Sequence, residues 1–200
     1  MNKDNLIVCI GRENGSGGLH IAKLVSERLG IPYYDEEKIQ QLSKEKGLPI
    51  DYVKKHDERR PKNPLYFAGQ TVPTKLIKMQ ADLIREVASK ESCVIVGHCA
   101  DYILRDFNKV VKVFIHAPLE ARIERVARRE GISEKEAAKR IKISEKERAE
   151  YYQFCTQQKW ADCRNFHVTV DVTTIGMENV VNLIEEFVLH QSESHKIEDV

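Results

Sequence analysis

The 200-residue chain has no apolar run approaching the roughly 18 residues of a membrane span, and no leading segment of the secretory kind. It has no C-x-x-C pair among its five cysteines (Cys9, Cys93, Cys99, Cys155 and Cys163), and their odd number fits free thiols. These absences argue against a membrane anchor and a disulfide framework, and they point to a reducing, cytoplasmic setting. Charge of one sign is missing too. Thirty-two basic residues face 31 acidic ones, for a net +1, which argues against a dedicated partner of nucleic acid polymers or membrane surfaces. No internal repeat or low-complexity tract stands out. What is present is ordinary globular material, 42% hydrophobic and 32% charged, enough for one cored domain over residues 1–190. The polar tail 191–200 has no apolar face and is expected to fray.

Strand-like runs recur at Leu6 to Ile10, Ser92 to Gly97, Val110 to His116 and Phe166 to Val172, with a short fifth at Pro32, Tyr33 and Tyr34. Helical periodicity fills the stretches between them. LIVCI, CVIV and VVKVFI are nearly continuous apolar runs, as central strands covered on both faces require. The fold expected is therefore α/β, a five-stranded parallel sheet flanked by helices. Gly18 to Leu29 and Thr74 to Lys90 read as amphipathic helices, the first stopped by Gly30. Ser133-x-x-Glu136 reads as a capping box opening a helix just after Gly131 ends another. Residues 56–73, with Pro61, Pro64, Gly69 and Pro73, read as an irregular excursion of the functional or mobile kind. Its Tyr66-Phe67 pair is a candidate for self-association, and the oligomeric state is otherwise open.

Gly11 to Gly18 reads Gly-Arg-Glu-Asn-Gly-Ser-Gly-Gly between the first strand and the first helix. Glycines there let successive N–H groups approach an anion, and the helix N-terminus adds a favourable dipole. Polyphosphate chemistry is the leading reading. The loop departs from G-x-x-x-x-G-K-[ST], because Gly18 stands at the lysine and Leu19 and His20 replace the hydroxyl-bearing neighbours. A dinucleotide fingerprint is the competing reading, with Asp35 about twenty residues past Gly15-x-Gly17, but His20 fills its third glycine position.

Transfer of a phosphoryl group needs cations around the moving charge. From Ala117 to Glu150 ten Lys or Arg face eight acids, an excess of only 10 − 8 = 2, so composition there says little. Spacing says more: Arg122, Arg125 and Arg129 recur at three and four residues and share a helical face just past a strand end. A solvated, salt-bridged helix remains the alternative.

The order of motifs resembles the cytidylate kinase-like family, in the wider class of P-loop nucleoside monophosphate kinases. The matching stretches run from Ile7 to about Phe187: IGRENGSGG, LGIPYYDEEKI, VIVGHCADYIL, VFIHAPLEARIERVARREGISEKEA, SEKERAEYY and VDVTTIGMENVVNLIEEF. The resemblance implies a P-loop-type sheet with an arginine-bearing helical lid at about 120–150. It implies ATP with Mg2+ as donor and a pyrimidine nucleoside monophosphate, typically CMP or dCMP, as acceptor. By position, Gly11, Gly15, Ser16, Gly17, Gly18, Leu19 and His20 would surround the donor phosphates. Arg122, Arg125 and Arg148 would hold the transferring group, and Asp35, His98 and Asp101 would face the acceptor. A kinase-fold protein that binds nucleotide without catalysis is the non-enzymatic alternative.

The departures have consequences. A cation must replace the missing lysine, and Arg12 is preferred over Lys23, which lies more than a helical turn beyond the loop. His20 is a poor partner for Mg2+, so no protein metal site is expected. His98 stands where related kinases often carry an arginine for the acceptor phosphate. Asp35 has a rival role as a helix N-cap. Trp160, Tyr151, Tyr152 and Phe154 read as packing rather than base stacking. Cys155, Cys163 and His167 lack the spacing of a zinc site. A His98–Cys99 dyad is rejected because neighbours on an extended strand point apart.

Overall fold

The computed structural model describes residues 3–47 and 72–191. Its strands β1 (Ile7–Arg12), β2 (Tyr33–Tyr34), β3 (Cys93–Val96), β4 (Val110–His116) and β5 (Val168–Asp171) form one parallel sheet in the order β2-β3-β1-β4-β5. Around it lie α1 (Gly18–Leu29), α2 (Glu36–Glu45), α3 (Val72–Lys90), α4 (Ala100–Ile103), α5 (Leu119–Glu130), α6 (Glu134–Thr156), α7 (Val172–Ile175) and α8 (Met177–Gln191). Among the described residues, no helix is long and apolar enough to cross a membrane.

The period of two along each strand sorts the core into two layers. Val8, Ile10, Val94, Val96, Val111 and Val113 pack against Ile21 and Val25 of α1 and Val181 and Ile184 of α8. The alternate residues Ile7, Cys9, Cys93 and Ile95 pack on the other face against Ile39 of α2 and Ile84 and Val87 of α3. Burial on both faces explains why these strands carry almost no polar residue. The chain leaves β1 toward β2 and leaves the neighbouring β4 toward β5, in opposite directions, and a crevice opens between those two strand ends. The glycine loop stands at that point.

Three boundaries differ from expectation, each for a local reason. Strand β1 continues to Arg12 because β4 supplies partners, with Gly11 opposite Phe114 and Arg12 opposite Ile115. Helix α3 begins at Val72, so Pro73 sits in a first turn, where its missing N–H has no helical partner to lose. Strand β5 is shorter than the run Phe166 to Val172, because the Asp171 carboxylate accepts from Thr173 N at 2.8 Å and starts α7. Residues 56–71 of the expected excursion, with Tyr66-Phe67, lie outside the described residues, as does the tail from 192.

Helices α5 and α6 form a hairpin with its own small core of Val126, Ala137 and Ile141. Gly131 ends α5 at φ 64°, and the Ser133 hydroxyl accepts from Glu136 N at 3.3 Å to open α6. Over 23 residues α6 runs back past the end of the sheet, which brings its C-terminal half to the crevice.

Candidate active site

The loop after β1 is held by its own polar groups. Glu13 N donates to Ile115 O at 3.0 Å, and Ala117 N donates to Glu13 Oε2 at 3.1 Å. The Ser16 hydroxyl and amide both donate to Glu13 O, at 2.9 and 3.3 Å. Gly15 sits at φ +82°, and a Cβ there would stand 2.9 Å from both Arg122 O and Val126 Cγ2. Gly15→Ala is therefore expected to cost about 1–3 kcal/mol of stability and to weaken nucleotide binding. Thermal denaturation and ATP titration of the variant measure the two effects.

Helix α1 starts behind Gly17, with no side-chain cap and no acidic residue in its first turn. The positive end of its dipole and its first amides thus face the crevice, and the acid on the cleft wall, Glu13, is already engaged by Arg122 and Ala117 N. The cleft there has a volume of about 580 Å³, and its wall carries five cations, Arg12, Lys23, Arg125, Arg129 and Arg148, against one acid, Glu13, together with Leu19, His20 and the glycines Gly15, Gly17 and Gly18. An anion-binding cleft is the chemical meaning of this lining.

The absence of a lysine at position 18 has a steric partner. A Cβ on Gly18 would stand 2.6 Å from Arg12 Cβ and 3.2 Å from its Cγ. The stem of Arg12, anchored in the β-ladder, occupies the space where a side chain at 18 would begin. Arg148 Nη1 donates to Arg12 O at 3.2 Å, and its guanidinium lies 6.0 Å from the centre of the Trp160 ring. Arg125 Nη1 donates to Gly15 O at 2.6 Å. Arg12, Arg125 and Arg148 are thus gathered at the loop, and Arg129, one turn further along α5, joins them at the cleft wall.

Four expected site residues stand elsewhere. Arg122 is buried, with Nε donating to Ala117 O at 2.9 Å and facing Glu13 Oε2 at 3.2 Å, and Nη1 paired with Glu145. It braces the loop from behind instead of lining the cleft, because its position at the start of α5 is nearest the loop's inner side. Ser16 is fully buried, and its hydroxyl bonds inside the loop. Asp35 lines neither cleft; its carboxylate accepts from Lys38 N at 3.1 Å and caps α2. Gly11 lines a second cleft rather than the phosphate cleft, and its Cα lies under the Phe114 and Phe166 rings.

That second cleft joins Gly11, Arg12 and Arg148 to His98, Asp101, Tyr152 and Trp160. His98 and Cys99 sit at φ 56° and 54°, in a left-handed turn and not on the extended strand expected of them, so strand alternation does not set their side chains apart. The ring itself is engaged otherwise: His98 Nδ1 lies 3.0 Å from Gln80 Nε2, and Gln80 Oε1 accepts from the Tyr151 hydroxyl at 2.9 Å. The Tyr152 hydroxyl donates to Asp101 Oδ2 at 2.6 Å. Burial pushes the Asp101 carboxyl above its ordinary range, against the lowering effect of that bond. A hydrogen bond from Cys99 draws the Cys155 thiol downward, against its burial.

Trp160 packs edge-on against Phe114 at 5.5 Å, and Tyr151 and Tyr152 pack with Cys99. Packing and polar contact coexist at the two tyrosines. Glu13, Gln80, Arg129, Glu145 and the tyrosine hydroxyls were absent from the sequence-derived site. Arg129 left its trace in the shared face with Arg122 and Arg125, and Glu145 and Tyr152 fall with the expected Arg148 in an i, i+3, i+7 stripe along α6.

A parallel sheet with an anion cleft at its switch point and arginines brought in by a helical hairpin defines the P-loop kinase fold class. Solved structures with this architecture include a gluconokinase from Sinorhizobium meliloti (TM-score 0.57, 16% identity, covering 98% of this chain and 100% of that one). An uncharacterized protein from Eubacterium ventriosum superposes with a TM-score of 0.74 at 28% identity, over 92% of this chain and 98% of that one. The chain belongs to the cytidylate kinase-like family, whose model matches residues 7–174. Among relatives, the cytidylate kinase of Pyrococcus horikoshii is 32% identical over 149 residues, 74% of this chain and 68% of that protein. That of Aeropyrum pernix is 29% identical over 178 residues, 86% and 92% of the two chains.

Proposed function

We propose that the protein is a nucleoside monophosphate kinase that moves the terminal phosphoryl group of Mg·ATP to CMP, dCMP or a related pyrimidine nucleotide. One observation carries this reading: Arg12 and Arg148 line both the anion cleft and the second cleft. Two guanidinium groups between two adjoining clefts suit a group that passes from one to the other.

In this reading the donor phosphates rest on the amides at the start of α1, with Arg125 and Arg129 on their outer side. The acceptor phosphate lies toward Arg12, Arg148 and His98 at the second cleft, whose volume of about 20 Å³ is water-sized, so the α5–α6 hairpin must move before a nucleotide enters. An oxygen of the acceptor phosphate attacks the terminal phosphorus in line. The bond to the bridging oxygen breaks, and ADP leaves with that electron pair. The acceptor phosphate has a second pKa near about 6, so at neutral pH it needs no general base. The α5–α6 hairpin acts as a lid that excludes water and limits hydrolysis.

Among the described residues no group of three or more His, Cys, Asp or Glu side chains could hold a metal. His20 is also poorly suited to a hard cation. In this reading Mg2+ enters with the nucleotide, chelated by its phosphates. The test is incubation with Mg·ATP and CMP, dCMP or UMP, with the diphosphate product resolved by chromatography. CDP or dCDP formation is expected. Tight ATP binding with no transfer to any of the three would favour a nucleotide-binding regulator instead.

A further inference from the structure

We infer that Tyr152 is a positioning residue for the acceptor: its hydroxyl pins one oxygen of Asp101 so that the other is offered to a hydrogen-bond donor of the bound nucleotide. The role given to Asp101 rests on the kinase reading; the Tyr152–Asp101 device itself does not.

The two residues come from different elements. Asp101 opens α4 at the end of β3, and Tyr152 lies in the last turns of α6. Both are buried, their oxygens are 2.6 Å apart, and both line the cleft shared with Arg12, His98 and Arg148. A carboxylate with one oxygen tied to a phenol can turn only its remaining lone pairs to a ligand. The matching ligand group is therefore an N–H or O–H donor. A cytosine nucleotide has two kinds of source, the exocyclic amine of the base and the sugar hydroxyls, whereas uracil replaces the amine with a carbonyl and carries its donor on N3.

The surroundings decide how this carboxylate titrates. Beneath it Cys9 of β1 is held neutral, its thiol pKa pushed up first by burial and then by the Asp101 charge. Lys112 of β4 and the backbone amides of Asp101 and Tyr102 favour the ionised form, as the Tyr152 hydroxyl does, while burial opposes it. Arg12, Arg148 and His98 stand along the same cleft. Removing the hydroxyl subtracts a bond to the charged form, so Asp101 takes up its proton at higher pH than in the native protein.

Tyr152→Phe keeps the ring and its packing, and it separates this role from a structural one. With carboxyl-labelled aspartate, carbon-13 NMR should show the Asp101 titration moved to higher pH in Tyr152→Phe. Acceptor KM should rise about tenfold at the acid end of the profile, with less change at the alkaline end and a smaller effect on kcat. The titration of the acceptor phosphate is common to both proteins and cancels in the comparison. CMP, dCMP and UMP separate the sources: a smaller effect with dCMP assigns the donor to the 2′-hydroxyl, a smaller effect with UMP to the exocyclic amine, and a pH-dependent effect equal for all three to the 3′-hydroxyl. An unshifted Asp101 titration, or a KM change equal at all pH values and equal for the three nucleotides, overturns the proposal. A shifted titration in a protein that phosphorylates none of them leaves the device standing and removes the kinase reading.

Discussion

Replacing Arg12 with alanine is expected to lower kcat by roughly a hundredfold to a thousandfold, the cost of removing one preorganised group that stabilises charge in the transition state. The ATP dissociation constant should rise much less, since the α1 amides, Arg125 and Arg129 still face the donor cleft. The reasoning is steric as well as electrostatic. Arg12 is fixed by the ladder to Ile115, and its stem stands where a lysine at 18 would begin. Gly18→Lys alone should therefore restore nothing and should disturb the loop. Arg12→Lys should retain part of the rate, since it keeps the charge while losing the planar two-toothed fork. Arg12→Gly combined with Gly18→Lys clears the Cβ collision and should regain more turnover than Arg12→Gly alone. Steady-state kinetics on these variants test whether position 12 has taken over the lysine's task. Equal turnover in Arg12→Ala and the native protein would remove Arg12 from the mechanism.

Arg122→Ala should be costly in a different way, through stability. The native guanidinium stands between Glu13 and Glu145 and also donates to Ala117 O. Truncation leaves two carboxylates facing one another in a half-buried place, and such a loss costs about 3–5 kcal/mol. The pH dependence follows from Glu145. Burial, and after it the Glu13 charge, raise its pKa, while Arg122 works against them. Without Arg122 the folded-state pKa climbs further above the unfolded one. The folded variant then binds a proton the unfolded chain has released, so its stability falls as pH rises between those two values. The deficit should thus be smaller in mild acid than at neutral pH. Urea denaturation across that range checks the sign, and Glu145→Gln in the Arg122→Ala background should recover part of the loss at neutral pH. A deficit that is the same at every pH would show that lost packing dominates.

Much of the architecture was legible because local rules and tertiary structure agree. Continuous apolar runs marked β1, β3 and β4, and Gly30, Gly131 and Ser133 marked helix ends, since each of these is a backbone requirement met by one residue type. The glycine loop was legible for the same reason, as Gly15 and Gly17 occupy positive φ. The residues that stand away from the cleft share a cause. Arg122, Arg125 and Arg129 do share a helical face, but that face is wide enough to reach from the loop's buried underside to the open cleft. Helical spacing cannot tell which edge meets a carboxylate. Ser16 and Asp35 show the same limit at shorter range, where a polar side chain bonds its own backbone before reaching a ligand.

The amino-acid order by itself determined the layers, the parallel sheet, the anion-ready turn after β1 and the charged hairpin, because these follow from periodicity, chirality and backbone freedom. It also showed that a lysine is missing. Only the tertiary structure decided what stands in the vacated space, since that depends on β1 running two residues further and placing Arg12 against Gly18. The second cleft is likewise a product of folding: His98, Asp101, Tyr151 and Tyr152 line it, Gln80 stands behind His98 and Tyr151, and the five lie on three separate stretches of chain. Gln80 meets His98 at 3.0 Å across α3 and the turn after β3, and the bonds of Tyr151 to Gln80 and Tyr152 to Asp101, at 2.9 and 2.6 Å, form only once α6 has crossed the sheet's end.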